Sequence, residues 1–136
     1  MGVKVKSNIG VNKNHRLHVS SSYNLMPLVS QQYPFVGDYL AALNSVIDKA
    51  LGQYSRVFAF RCDLRVPECI DAAPDTFKNE VMSRFIESLK AKIKHNRQVA
   101  VRDGGYVHDT KVRYFWVREV GDQGRVHYHV VVLLNG

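Results

Sequence analysis

Two histidines near the end of the chain, His127 and His129, are the residues whose type and spacing best suit chemistry. They stand in VHYHVVVLLN, a run rich in valine and leucine that reads as a β-strand. Side chains alternate along a strand, so both imidazoles point the same way, about 7 Å apart along the backbone. One divalent cation can bridge such a pair, and a carboxylate would complete a set of three donors. Glu119 lies eight residues before His127 and offers that carboxylate if the chain folds back between them.

Register decides whether Glu119 takes part. The run VRYFWVREV reads as a second strand, and GDQG as the tight loop of an antiparallel hairpin. Pairing of Val120 with Arg125, across a four-residue loop, would turn Glu119 away from the histidines. Pairing of Val120 with Gly124, across a three-residue loop, would put Glu119 on their face. Glycine suits the left-handed bulge position that ends three-residue loops, which favours the second register.

The other elements must carry this hairpin. Val126, Tyr128, Val130, Val132 and Leu134 lie on the face opposite the histidines, while Val131 and Leu133 continue the histidine face. Apolar character on both faces predicts a central strand. Arg56 to Val66 alternates, with Phe58, Phe60, Cys62 and Leu64 on one side and Arg61, Asp63 and Arg65 on the other; Pro67 ends it. That charged side lines a nucleic-acid channel only if it shares the histidines' side of the sheet.

Two helices are predicted. Phe35, Val36, Tyr39, Leu40, Leu43, Val46, Ile47 and Leu51 make an apolar stripe over Pro34 to Gly52, with Asp38 as its cap and Gly52 as its stop. Pro74, Asp75 and Thr76 open the second, which runs to about His95 and buries Phe77, Val81, Met82, Phe85, Ile86, Leu89 and Ile93. Its last turns carry Lys90, Lys94 and Arg97, cations that also suit a helix C-terminus. Residues 1–32 read as a basic arm: Lys4, Lys6, Lys13 and Arg16 precede the first acid, Asp38, and a short strand is expected near Leu17 to Val19. Residues 33–136 read as one domain.

The order helix, strand, helix, strand, strand predicts an α+β fold, an antiparallel sheet with helices on one face. Its β-α-β-β part matches the first half of a ferredoxin-like sandwich. The core therefore reads as incomplete, with an exposed strand edge through which two copies could pair as a homodimer.

A net charge of +7 on 136 residues points to nucleic acid as partner. No apolar run is long enough to span a bilayer, and the N-terminus lacks the apolar stretch of a signal peptide. No membrane role and a cytoplasmic location are expected, with Cys62 and Cys69 as reduced thiols.

The segment Arg113 to Gly136, with WVREVG and then GRVHYHVVVLLN, resembles the HUH motif region of replication-initiator nucleases. It is most similar to the prophage- and inovirus-associated replication-protein family. RVFAFRCDLRVP, residues 56–67, resembles the first strand of that family, and the likeness covers about Tyr54 to Gly136. The resemblance implies a ferredoxin-like fold in which His127, His129 and Glu119 hold Mn²⁺ or Mg²⁺. Imidazole donors would also accept Zn²⁺. It further implies nicking of single-stranded or hairpin DNA through a phosphotyrosine, in a bacterial or phage-infected cell. Arg61, Arg65, Lys90, Lys94, Arg97, Arg118 and Arg125 would grip the strand, and Trp116 or Tyr114 would stack on bases.

The nucleophile is where the chain departs from the family. Its tyrosine usually follows the motif strand on a helix, whereas this chain ends at Gly136, so the catalytic residue is unknown and the chain reads as truncated. Tyr128, between the histidines, points to the other face. Some relaxases carry their tyrosine near the N-terminus, which brings in Tyr23 or Tyr33. Two alternatives stand beside the nuclease: an inactive DNA-binding module of the same fold, and a zinc hydrolase using the same three donors.

Overall fold

A computed structural model describes residues 14–29, 34–65, 79–120 and 125–136. Two small pairings come first, β1 (Leu17–His18) with β4 (Phe35–Val36), and β2 (Ser22–Tyr23) with β3 (Met26–Pro27). The main elements follow as α1 (Gly37–Gln53), β5 (Val57–Arg65), α2 (Glu80–Arg102), β6 (Arg113–Val120) and β7 (Val126–Asn135). The expected α+β class with an antiparallel sheet is what forms. Within the described part of the basic arm, β1 falls where a short strand was expected.

The three long strands make one sheet in the order β5-β7-β6. β7 is antiparallel to both neighbours. β5 and β6 therefore run parallel to each other, and α2 crosses between them. This is a split β-α-β arrangement. β7 takes the centre because it is the strand with apolar side chains on both faces, the position its sequence predicts.

One face of β7 builds the core. Val126, Tyr128, Val130 and Val132 are buried with Met82 and Ile86 of α2, and Phe60, Cys62, Leu64 and Trp116 pack around them. Burying such a side chain contributes about 1.5–3 kcal/mol, so this cluster is the main force holding α2 on the sheet. Cys62 is a half-buried free thiol whose pKa is pushed up, first by burial and then by neighbouring Asp63. Cys69 lies outside the described residues.

The helix that precedes the core corrects the expectation that both helices share one face: α1 meets the sheet on the side away from α2. α1 brings the fully buried Ala50 close to the sheet, while Tyr39 and Leu51 of its expected stripe stay exposed. At its end Gln53 accepts a hydrogen bond from Arg113, and the Tyr54 hydroxyl accepts the Lys111 amide at 2.7 Å. Arg113 pairs with Leu133 in the register, so this contact is on the face opposite α2. It lies at the far end of that face from the histidines, and their end stays open.

Two boundaries differ from the sequence expectation. α1 starts at Gly37 behind Val36, and Asp38 stands in its first turn without capping it; a carboxylate there still favours the helix dipole. α2 runs past His95 to Arg102, because nothing between them breaks a helix. Gly104, at φ +82°, then closes it: its N–H donates to the Val101 carbonyl and that of Gly105 to Ala100, a Schellman stop. The expected start at Pro74 to Thr76, with Phe77, lies outside the described residues.

Candidate metal centre

The register places the chemistry. Glu119 of β6 is directly opposite His127 of β7, and on the other side of β7 Asp63 of β5 is opposite His129 and Arg65 opposite His127. Directly paired residues share a face, so Glu119, both histidines, Asp63 and Arg65 stand together on the side away from α2. The charged side of β5 does share the histidines' side of the sheet.

The hairpin reaches this result by another register than expected. Val120 pairs with Val126, not with Gly124. The shift is two residues, and the side-chain period of a strand is two, so Glu119 keeps its face. Residues 121–124, with the expected glycine bulge, lie outside the described residues.

One ligand atom from each of Glu119, His127 and His129 comes together within 4.8 Å. Glu119 Oε2 is 3.1 Å from His127 Nε2 and 2.9 Å from His129 Nε2. A cation with bonds of about 2.1 Å to nitrogen and oxygen holds its donors roughly 3.0–3.4 Å apart, so this set fits a metal. The imidazole side chains are 24% and 29% exposed, open enough for an ion to reach them.

Asp63 adds a function that the sequence reading missed. Its Oδ1 is 2.7 Å from His129 Nδ1, on the side of the ring away from Glu119. Arg61 in turn donates Nε to Asp63 Oδ1 at 3.1 Å and Nη2 to Oδ2 at 3.2 Å. Arg61 Nη2 also lies 3.0 Å from His129 Nδ1. One nitrogen cannot donate to Asp63 and accept from Arg61; the shorter contact, to a carboxylate, makes Nδ1–H the donor to Asp63. A carboxylate behind a ligating histidine fixes its tautomer, turns Nε2 toward the metal and raises its basicity.

The charges follow from these contacts. The hydrogen bond to Asp63, followed by that to Glu119, pushes the His129 pKa above its ordinary value. Glu119 is held below the usual carboxylate range, chiefly by its hydrogen bond to His129. Asp63 is lowered by His129 and then by Arg61. Both nitrogens of the His129 ring thus face a carboxylate, Nδ1 that of Asp63 and Nε2 that of Glu119.

The other expected site residues are spread over the molecule. Arg61 and Arg65 flank the histidines, and Arg125 immediately precedes β7. Arg118 pairs with Tyr128 and so belongs to the face that α2 covers, not to the metal face. The expected stacking residues share that side: Trp116 meets the Tyr128 ring edge-on at 5.9 Å, and Lys90 stands 5.1 Å over Tyr114. Lys90, Lys94 and Arg97 belong to α2, on the opposite side of the sheet from the metal donors. Tyr128 is 1% exposed among the core residues, so it cannot attack a phosphate held by its neighbours. Tyr23 lies in the β2–β3 hairpin, with its ring against His18 at 5.4 Å. Tyr33 is outside the described residues.

Fold and site together define a small α+β domain whose open sheet face carries a candidate metal centre. The chain belongs to the YagK/YfjJ C-terminal domain family, whose model matches residues 19–136. It is 30% identical over 103 residues to the uncharacterized protein YagK of Escherichia coli (strain K12), a match covering 72% of this chain and 50% of that protein. To the uncharacterized protein YfjJ of the same strain it is 29% identical over 104 residues, 71% of this chain and 50% of that protein. The chain spans about half the length of these curated relatives. No solved structure matches it.

Proposed function

We propose that this domain holds a divalent cation for phosphodiester chemistry on single-stranded or hairpin DNA, as part of a replication-initiating nuclease of HUH type. The observation that carries the reading is the convergence of Glu119, His127 and His129 on an open sheet face beside Arg61 and Arg65. The split β-α-β core is consistent with half of a ferredoxin-like plan, and supports the same reading. The setting we propose is the cytoplasm of a bacterial or phage-infected cell; no helix among the described residues is long and apolar enough to cross a membrane.

His127, His129 and Glu119 would hold Mn²⁺ or Mg²⁺, and such an ion, when bound, polarises a phosphodiester and neutralises charge that builds on its oxygens. Asp63 keeps His129 turned to that task. Arg65 adds a positive charge on the same face for the DNA backbone, while Arg61 is partly engaged by Asp63. The attacking hydroxyl is assigned to none of the described tyrosines. Tyr128 and Tyr114 share the α2 side of the sheet, and Tyr54, Tyr106, Tyr39 and Tyr23 are placed against Lys111, His108, His15 and His18.

A second reading rests on the donor set itself. Two imidazoles and a carboxylate, with an orienting acid behind one of them, also suit a zinc hydrolase. The basic neighbours and the net charge of +7 favour a polyanionic substrate instead.

Calorimetric titration of Mn²⁺ and Zn²⁺ into the wild type and a His127→Ala, His129→Ala variant, with and without a single-stranded oligonucleotide, tests both. The nuclease reading expects one Mn²⁺ per chain, lost in the variant and bound more tightly when DNA is present. Equal, negligible binding to both proteins would leave the histidines structural and end the proposal. Tight Zn²⁺ binding that is indifferent to DNA would favour the hydrolase.

A further inference from the structure

A groove of about 770 Å³ runs between the C-terminal half of α2 and the segment leading into β6. Its apolar lining comes from Ile93, Val101, Val107 and Val112. Five cations, Lys90, Lys94, Arg97, Arg102 and Lys111, line it against one carboxylate, Asp109. The groove meets β6 at its start, whereas Glu119 stands near the end of that strand, about 20 Å away at 3.3 Å per residue. It is therefore a separate feature from the metal centre.

Some of this charge has a local explanation. Cations in the last turns of α2 complement the helix dipole. Arg102 contacts Asp103 at 3.4 Å, and Arg97 donates to the His108 carbonyl. Lys111 is not on the helix, and the dipole does not account for it. Nor does it account for Tyr106, which is 87% exposed on the same segment with its ring edge-on to His108 at 4.8 Å. An exposed aromatic ring beside a cationic groove is what a flexible strand of stacked bases requires. A duplex presents no free base face to such a ring.

We propose that this groove is a second subsite for single-stranded nucleic acid, where Lys94 and Lys111 track the backbone and Tyr106 stacks on a base. This rests on the reading of the protein as a DNA-binding one. It extends that reading by placing a strand contact on the other side of the molecule from the metal, one that secures the strand without touching the reacting phosphate.

The test measures binding of a labelled oligothymidylate at several salt concentrations. It compares the wild type with Lys94→Gln/Lys111→Gln and with Tyr106→Ala, with Mn²⁺ affinity and thermal melting followed in parallel. Removing the two lysines should weaken binding and flatten the slope of log K against log salt by roughly 0.7 per lost contact. Tyr106→Ala should weaken binding about tenfold with the slope unchanged. Mn²⁺ affinity and melting should not move in either variant. Wild-type binding that both variants retain, with the same slope, overturns the groove while leaving the DNA-binding reading intact. No oligonucleotide binding by the wild type overturns both. Lysine-dependent binding to phosphatidylserine vesicles in place of the oligonucleotide would assign the groove to a membrane surface and overturn it as well.

Discussion

Asp63 Oδ1 lies 2.7 Å from His129 Nδ1 across the β5–β7 pairing, while the other ring nitrogen is turned to Glu119. One imidazole is thus held between two carboxylates, one of which belongs to the candidate ligand set. Removing the orienting carboxylate should cost metal affinity without touching a ligand. Asp63→Ala is expected to weaken Mn²⁺ binding about 10–100-fold by calorimetry. Asp63→Asn keeps an acceptor for Nδ1–H but not the charge, and should lose less. Wild-type affinity in both variants would show that Asp63 does not act on the metal.

Metal should also stabilise the fold, because the three donors converge only when β6 and β7 are paired. At a Mn²⁺ concentration of 100 times Kd the gain is about 2.7 kcal/mol. It should appear as a raised melting temperature, reverse with a chelator, and vanish in Glu119→Ala. Melting that ignores Mn²⁺ in the wild type would contradict the site.

The stability of the metal-free protein should pass through a maximum with pH. His129 has a raised pKa, so its contribution is whole below its ordinary value of 6.5 and is lost as pH rises through the folded value. Glu119 and Asp63 have lowered pKa values, so theirs are whole above 4.5 and 3.8 and are lost as pH falls through the folded values. All three contributions coexist between about pH 4.5 and 6.5. Melting curves in chelator across pH should show this maximum shrink in Asp63→Asn.

The core makes a prediction independent of the site. Met82 is fully buried against the Tyr128 face of the sheet. Met82→Ala should cost about 2–5 kcal/mol in urea unfolding, with the m-value unchanged. A cost under about 0.5 kcal/mol, the size of an ordinary surface substitution, would mean that α2 is held elsewhere.

A strained turn offers the opposite sign. Tyr23 pairs with Met26, which leaves Asn24 and Leu25 as a two-residue hairpin loop with φ of 46° and 65°. Asparagine tolerates that geometry, while a fully exposed leucine meets steric cost in it with no packing in return. Leu25→Gly should relieve about 1 kcal/mol. Hydrogen exchange of the Leu28 amide, which donates to the Ser21 carbonyl at 2.8 Å, should slow about fivefold. Unchanged or faster exchange would count against strain there.

The sequence alone was enough to determine the α+β class, the central place of β7, the α2 core face except for Val81, which is exposed, and the pairing of His127 with His129 on one side of a strand. These depend on periodicity, a local property: alternation fixes which side chains share a face wherever the strand is placed. The participation of Glu119 was legible for a subtler reason. Either even-numbered register puts it beside the histidines, so the expected loop could differ from the true pairing and leave the face unchanged. Tertiary structure decided what depends on contacts between distant segments. Asp63 is 66 residues from His129, and only the β5–β7 register brings them together. The packing of α2 likewise carries Lys94 to a groove with Lys111 instead of to the histidines. No local pattern encodes which strand will lie beside which, or by how many residues it will slide. That is settled by the burial of apolar faces throughout the sheet, and the outer contacts of the site are settled with it.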